Sequence, residues 1–253
     1  MKTSFDEYVK TVDLEHLFKK LGAANPEHLA RTVQHFTLKE AKKRDKIVLG
    51  YFGEEGVNRI VEAITERLLA STLRKGSNML DVGAGSGFFT AKIAERTRQK
   101  IPNVNFFAMD ATPAMLTAIA KKNPSITPFI GIAENIEASI TEATAYAKIP
   151  GKFDVAFSTL MLHHSIKPEK VFQSIKNALT KNGKAVILDL CEHDFTEFKT
   201  EMEDVHLGFN LDYIRNLAKQ YFSNVNIKKM PGIGCSCSGR SAEIFVATMQ
   251  NTA

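Results

Sequence analysis

The spacing of apolar positions changes character near residue 76. Before it, apolar residues recur every three or four positions and carry no strand pattern. Val9, Val12, Leu14, Leu17, Phe18 and Leu21 share one helical face, and Gly22 offers a stop. Pro26 can open a second helix, where its missing N–H costs little. Val57, Ile60, Val61, Ile64, Leu68 and Leu69 form the apolar face of a further segment, and Gly50-Tyr51-Phe52-Gly53 before it reads as a turn. Residues 1–75 are thus predicted to form an N-terminal helical cap that either simply packs on the main domain or lids a ligand site and helps select substrate.

From Asn78 onward, short apolar runs alternate with helical patterns. Strands are predicted at Met79–Val82, Val104–Met109, Thr127–Ile132, Phe153–Phe157 and Lys184–Leu190. Helices fall near Phe88–Arg98, Ala114–Lys121, Asn135–Lys148 and Glu169–Leu179. Pro113 and Pro168 stand where first helical turns begin, and Thr112 is available as an N-cap. Leu179–Lys184 reads as a tight turn. The tail differs: a helix over Leu211–Phe222, a strand at Asn224–Met230, a loop Pro231–Ser241 and a last strand Glu243–Met249. Two successive strands with no helix between them pair as an antiparallel hairpin. The expected fold is α/β, a doubly wound, mostly parallel seven-stranded sheet ending in that hairpin, over residues 76–253.

Composition narrows the class without naming a chemistry. The 253 residues are 44% hydrophobic and 24% charged, as in ordinary globular chains. The net charge of +5 is spread out. The densest basic run, Lys39 to Arg44, has helical spacing and an acid within it, so it reads as a solvated helix face and no nucleic-acid partner is expected. No apolar run approaches the length of a membrane span, and the first residues lack a signal core, so the default location is cytoplasmic. Three cysteines do not make a disulfide framework. A homodimer is compatible with these numbers.

The chemistry concentrates in Met79-Leu80-Asp81-Val82-Gly83-Ala84-Gly85-Ser86-Gly87-Phe88. A buried strand runs into a glycine turn and a helix start, whose N–H groups and positive dipole end suit an anionic ligand. A dinucleotide loop would read G-x-G-x-x-G, with its acid about 20 residues on. Here the third glycine comes one position early, and the acid ending the second strand, Asp110, follows Asp81 by 29 residues.

This D-x-G-x-G-x-G stretch, with a second strand ending in an acid, resembles the class I S-adenosylmethionine-dependent methyltransferases, whose Rossmann-like sheet also ends in an antiparallel hairpin. The likeness covers roughly residues 76–250. It implies methyl transfer from S-adenosylmethionine to a small-molecule acceptor, leaving S-adenosylhomocysteine. It implies that Asp81 meets the amino group of the cofactor's methionine part, while the backbone of Gly83, Ala84, Gly85 and Gly87 meets its carboxylate. Asp110 would accept both ribose hydroxyls, with Ala111 and Met115 flanking the adenine. The third strand ends in Gly131-Ile132-Ala133-Glu134, where many family members carry Gly-Asp-Ala-Glu; Ile132 departs from that pattern and leaves Ala133 and Glu134, or a backbone carbonyl, to meet the adenine amino group.

The fourth strand leads into Ser158-Thr159-Leu160-Met161-Leu162-His163-His164, similar to the fourth motif of small-molecule methyltransferases, including those of quinone biosynthesis. Ser158 would sit near the sulfonium. His163 or His164 could serve as general base, orient substrate or cap the next helix. The Asn/Asp-Pro-Pro-aromatic motif of enzymes acting on nucleobase amines is absent.

Cys191, after the fifth strand, and Cys235 and Cys237, in the loop Pro231–Ser241, are expected at the carboxyl edge of the sheet, the active-site side. Arsenite methyltransferases hold trivalent arsenic with thiolates, which makes a thiophilic metalloid such as arsenite a competing acceptor. A Cys-x-Cys pair without histidine partners is a weak metal signal, and no metal ligand set is read from the sequence. A non-catalytic S-adenosylmethionine-binding interaction module would carry the same glycine turn and Asp110, and an oxidoreductase ranks third behind it.

Overall fold

The computed structural model describes residues 3–34, 37–70 and 73–252. Residues 1, 2, 35, 36, 71 and 72 of the expected cap, and residue 253 of the expected domain, lie outside that set.

Among the described residues, four helices precede the sheet: α1 (Phe5–Thr11), α2 (Leu14–Leu21), α3 (Pro26–Gln34) and α4 (Leu38–Leu69). A capping box starts α1 at Ser4 and another starts α4 at Thr37, each pairing with a glutamate three residues on. Left-handed Gly22 closes α2, as its position predicts. The break expected at Gly50–Gly53 appears as a sharp kink at Gly53 (φ 65°, ψ 172°), where two helical halves of α4 meet in a backbone conformation that a residue with a Cβ resists.

That bend divides the helix into two jobs. Beyond it, Ile60, Ile64 and Leu68 repeat every fourth residue and are completely buried against the main sheet. Each such side chain contributes roughly 1.5–3 kcal/mol of burial, so the second half of α4 is a layer of the main fold. Before the bend, α4 reaches over the carboxyl ends of the strands.

Alternating units follow: β1 (Asn78–Val82), α5 (Phe88–Lys100), β2 (Asn105–Asp110), α6 (Pro113–Lys122), β3 (Ile126–Ile130), α7 (Ile136–Ala143), β4 (Phe153–Thr159), α8 (Pro168–Ala178) and β5 (Leu179–Leu190). Short α9 (Glu197–Glu201), α10 (Leu211–Tyr221), β6 (Ser223–Cys237) and β7 (Arg240–Gln250) complete the chain. The sheet order is β3-β2-β1-β4-β5-β7-β6, with β7 antiparallel to both neighbours and the other pairings parallel. The doubly wound sheet with its terminal hairpin is therefore the fold. Strand order reverses between β1 and β4, which places a ligand crevice at their carboxyl ends.

Several local expectations change. Both ends of the hairpin lengthen, so Pro231–Cys237 is strand and the loop shrinks to Ser238-Gly239. The turn expected at Leu179–Lys184 is an irregular start to β5, with Asn182 at φ 63°. The long helix expected over Asn135–Lys148 ends at Ala143. Thr112 occupies the N-cap of α6, but its side chain makes no capping bond. No described helix is long and apolar enough to cross a membrane.

The core has two layers. α4, α5 and α6 cover one face of the sheet, meeting Met79, Phe106, Phe157 and Leu188. α7, α8 and α10 cover the other, meeting Leu80, Phe107, Phe153 and Ile187. The one-residue alternation along each strand assigns every side chain to one layer or the other.

Candidate active site

Asp81 lies on the α5 side of β1, 2% exposed. The Thr90 hydroxyl donates to its Oδ2 at 2.6 Å, while Oδ1 is buried with no hydrogen-bond partner. Burial raises its pKa to about 7; Thr90 opposes that rise and nearby Asp110 adds to it. A buried carboxylate oxygen without a donor is costly unless a ligand supplies one. An ammonium group would do so.

The glycine turn after β1 has positive φ at Gly83 (75°), Gly85 (54°) and Gly87 (75°). A Cβ on Gly83 would collide with Met161, and one on Gly87 with Ile119, whereas one on Gly85 would meet open space. Four of the turn's N–H groups are already committed. Gly83 and Ala84 both donate to the Met109 carbonyl at 2.9 Å, Gly87 donates to Ala84 at 3.0 Å, and Gly85 donates to Asp110 Oδ2 at 2.8 Å. The turn is thus tied to the end of β2, and these amides are not the free donors that the glycine spacing suggests. Asp110 Oδ1 accepts the Thr112 N–H at 2.8 Å. Burial raises the Asp110 pKa, and its two backbone bonds oppose that rise.

The cleft beside this turn is narrow, about 90 Å³. Gly83 to Ser86, Thr159, Leu160, His163 and His164 form its walls, and Arg44, Tyr51 and Phe52 of α4 with Cys235 close it. Asp45 pins α4 there, accepting from the Ser86 hydroxyl at 2.7 Å and pairing with Lys122 at 2.6 Å. Arg44 lines the cleft, and its charge acts on Asp110, His163 and Asp204.

The remaining residues singled out by sequence fall at different depths. Ser158 is buried and donates to the Val82 carbonyl at 2.9 Å, lacing β4 to β1; its neighbour Thr159 lines the cleft, with a buried hydroxyl that has no partner. Ala111 is half-buried beside Asp110. Met115 is buried against Ala41 of α4 and Ala118. Ala133 and Glu134 lie half-buried on a short 3₁₀ turn, and Glu134 Oε1 accepts from the Ser165 hydroxyl at 2.7 Å. Ile132 is buried in the α4–α6 layer.

His163 and His164 lie on a 3₁₀ turn after β4, their rings 4.1 Å apart. His163 is 2% exposed. Its Nδ1 meets Asp189 Oδ1 at 2.7 Å, and its Nε2 lies 3.4 Å from Asp204 Oδ1. Desolvation lowers the His163 pKa, but Asp189 and Asp204 outweigh it and the net direction is upward. The His164 side chain is a third exposed; desolvation and the His163 charge hold its pKa down. In this arrangement His163 favours the cationic form and His164 the neutral one. The Asp189 carboxylate on Nδ1 supports the basicity of His163, which is buried, while His164 is the more exposed of the two and the less basic.

Asp189 and Asp204 do not stand out in the sequence as site residues. Asp189 ends β5 and accepts the Leu162 and Leu190 N–H groups, each at 2.8 Å, as well as facing His163. An acid at the β5 end is a legible signal; Asp204, in an irregular segment after α9, carries none.

The three cysteines are not brought together. Cys191 packs in the α7–α8–α10 layer, whereas Cys235 and Cys237 pack in the α4–α6 layer. Burial pushes the Cys191 and Cys237 thiols up to about 11, and Cys235 further in the same direction. Cys237 donates to Glu201 at 3.3 Å. A shared thiolate site for all three is therefore not formed.

Known proteins share this arrangement of strands. A family model described as a methyltransferase domain matches residues 73–230. The BioHC bifunctional biotin-biosynthesis protein of Cellvibrio japonicus is 28% identical over 192 residues, covering 72% of this chain and 35% of the relative. The chain spans about a third of the length of that curated relative. A candidate sarcosine dimethylglycine methyltransferase from Galdieria sulphuraria aligns with TM-score 0.61 at 18% identity, covering 78% of this chain and 87% of the other. Haemonchus contortus phospholethanolamine N-methyltransferase 2, solved with S-adenosylhomocysteine, aligns with TM-score 0.58 at 16% identity, covering 87% and 61%.

Proposed function

The chain belongs to the methyltransferase-domain family and is an S-adenosylmethionine-dependent methyltransferase, and from that premise we propose that it methylates a small molecule seated between the glycine turn and the His163–His164 turn. The observation that carries this reading is the unpartnered Asp81 Oδ1 at the end of β1, beside a turn with open space at Gly85. It fits the ammonium end of the methyl donor. The bound donor supplies an electrophilic methyl group with a neutral thioether leaving group, so alignment with the acceptor does most of the catalytic work.

The chain's own groups divide the rest. Asp81 takes the donor's ammonium. The committed amides of the glycine turn leave the donor's carboxylate in need of another partner, and Arg44 supplies that charge from above. Asp110 is held by two backbone N–H groups, which keeps it oriented toward the ribose. Ala111 and Met115 border the adenine on one side, and Ala133 and Glu134 lie toward its amino edge. Ser158 fixes the β1–β4 junction, and Thr159 presents its free hydroxyl to the cleft. The first half of α4 is the lid, and the narrow cleft beneath it favours a metabolite-sized acceptor over a macromolecule. Relatives named for biotin biosynthesis and phospholethanolamine methylation support that class.

Methyl-labelled S-adenosylmethionine, incubated with the protein and fractionated metabolite extract, tests the reading. Label should appear in a low-mass product with matching S-adenosylhomocysteine release, and Arg44→Ala should weaken donor binding about tenfold, as for one charge-assisted hydrogen bond. Label confined to macromolecules, or donor affinity unchanged in Arg44→Ala, would refute the respective assignment.

A further inference from the structure

We infer that His163, His164 and Asp204 form a binding site for one divalent transition-metal cation, with Asp189 as the group that orients His163. One ligand atom from each of the three lies within 4.8 Å of the others. Two ligands bound tetrahedrally at about 2.1 Å stand about 3.4 Å apart. The His163 Nε2 to Asp204 Oδ1 separation is 3.4 Å, and His164 Nδ1, which also faces the Glu203 carbonyl at 3.4 Å, is 4.0 Å from the same oxygen, so His164 has to leave that carbonyl and draw in.

A second observation points the same way independently. Asp204 is 5% exposed, and neither of its carboxylate oxygens has a hydrogen-bond partner. His163 Nε2 is close but not hydrogen bonded to it. At 3.4 Å, His163 offers this carboxylate an ion pair only while it is protonated, and with His163 neutral the buried carboxylate lacks a cation. Arg44 acts on it electrostatically and forms no ion pair with it. Behind the site, Asp189 Oδ1 meets His163 Nδ1 at 2.7 Å and directs Nε2 toward Asp204, and a bound metal would take the place of the Nε2 proton. Metal-ligating histidines are commonly fixed through their other nitrogen in this way.

Two imidazoles and one carboxylate suit zinc or ferrous iron better than magnesium or calcium. Three protein ligands leave a coordination position open toward the cleft that also holds Thr159 and Leu160. A cation there would bind an acceptor oxygen and lower its pKa. The site stands on its own geometry and does not require the methyl-donor reading.

Cobalt(II) is the probe. The full-length protein, stripped with chelator, is titrated by calorimetry and visible absorption. One equivalent should bind with ligand-field bands and no thiolate charge-transfer band. His164→Ala and Asp204→Asn should each weaken binding by about 100-fold, and Asp189→Asn by about 10–100-fold, the range for outer-shell partners. His164 is part-exposed, so His164→Ala decides the matter if Asp204→Asn fails to fold. No binding to the wild type, wild-type affinity in folded His164→Ala, or a charge-transfer band that Cys235→Ser removes would each overturn the site.

Discussion

Asp81 and Asp189 are both buried aspartates near the carboxyl ends of strands, on β1 and β5, yet they are finished to different degrees. Asp189 receives three contacts, from Leu162, Leu190 and His163. Asp81 receives one, from Thr90, and its other oxygen is left without a donor. A saturated carboxylate positions its neighbours, and one with a spare buried oxygen is incomplete until a ligand arrives. The same contrast separates the two ends of the cleft. The donor end is tied together by backbone bonds from the glycine turn to β2. The acceptor end depends on side chains from three separate segments, around residues 163, 189 and 204.

If the donor end is rigid because its backbone is locked, the largest effect should come from its tightest glycine. Gly83→Ala forces a Cβ into a left-handed position, which costs roughly 1–2 kcal/mol, and drives it into Met161, which adds roughly 1–3 kcal/mol. Gly85→Ala carries the strain alone, because nothing lies within 4 Å of the added carbon. Thermal or urea unfolding should therefore rank Gly83→Ala well below Gly85→Ala. Equal losses would show that Met161 moves aside and that the turn is softer than its bonds suggest.

The two ends also differ in how far the sequence discloses them. Three glycines removing Cβ atoms in register with a strand end, and an acid ending the next strand, are local patterns, so Asp81, the turn and Asp110 are legible. Strand and helix alternation discloses the sheet for the same reason. The acceptor end is only half legible. His163 and His164 sit in a local motif, but their charge states are set by Asp189 and Asp204, distant in sequence and joined only by packing. The bend at Gly53 reads as a turn because Gly50 and Gly53 signal a break, while burial of Ile60, Ile64 and Leu68 sustains the helix beyond it. The cysteines part company because β6 extends through Cys237 and its alternation sends Cys235 and Cys237 to the layer opposite Cys191.

The next effect in size tests whether Asp81 is the incomplete group. Asp81→Asn removes a charged acceptor worth roughly 1.5–3 kcal/mol to an ammonium donor, so S-adenosylhomocysteine affinity measured by calorimetry should fall about 10–100-fold. The pH dependence gives a finer check. With the folded pKa near 7, Asp81 of the free protein is mostly protonated below that value. Ligand ammonium favours the anion, so affinity should rise about tenfold between roughly pH 6 and 8 and flatten above. The ligand-free protein should behave oppositely in stability. Its folded pKa lies above the ordinary 3.8, so the folded state keeps the proton longer and loses stability as pH climbs from about 4 to about 7. Asp81→Asn should abolish both trends. A pH-independent wild-type affinity would mean that Asp81 is already ionised and satisfied, as Asp189 is satisfied by its neighbours.

The smallest expected effect concerns what joins the two ends. Asp45 ties the first half of α4 to Ser86 of the glycine turn and to Lys122 of α6, and the pair with Lys122 is about a third exposed. Such a pair contributes roughly 0.2–1 kcal/mol. Asp45→Ala should therefore leave global stability nearly unchanged while loosening the segment between Leu38 and the Gly53 bend. Hydrogen exchange should quicken in residues 38–52 and stay constant in 57–68, where burial holds the helix. Because Arg44 would be less well placed over the cleft, donor affinity should fall only two- to three-fold, with faster association and faster release. Uniform quickening along all of α4 would instead make the helix one unit, and the lid would have no hinge at Gly53.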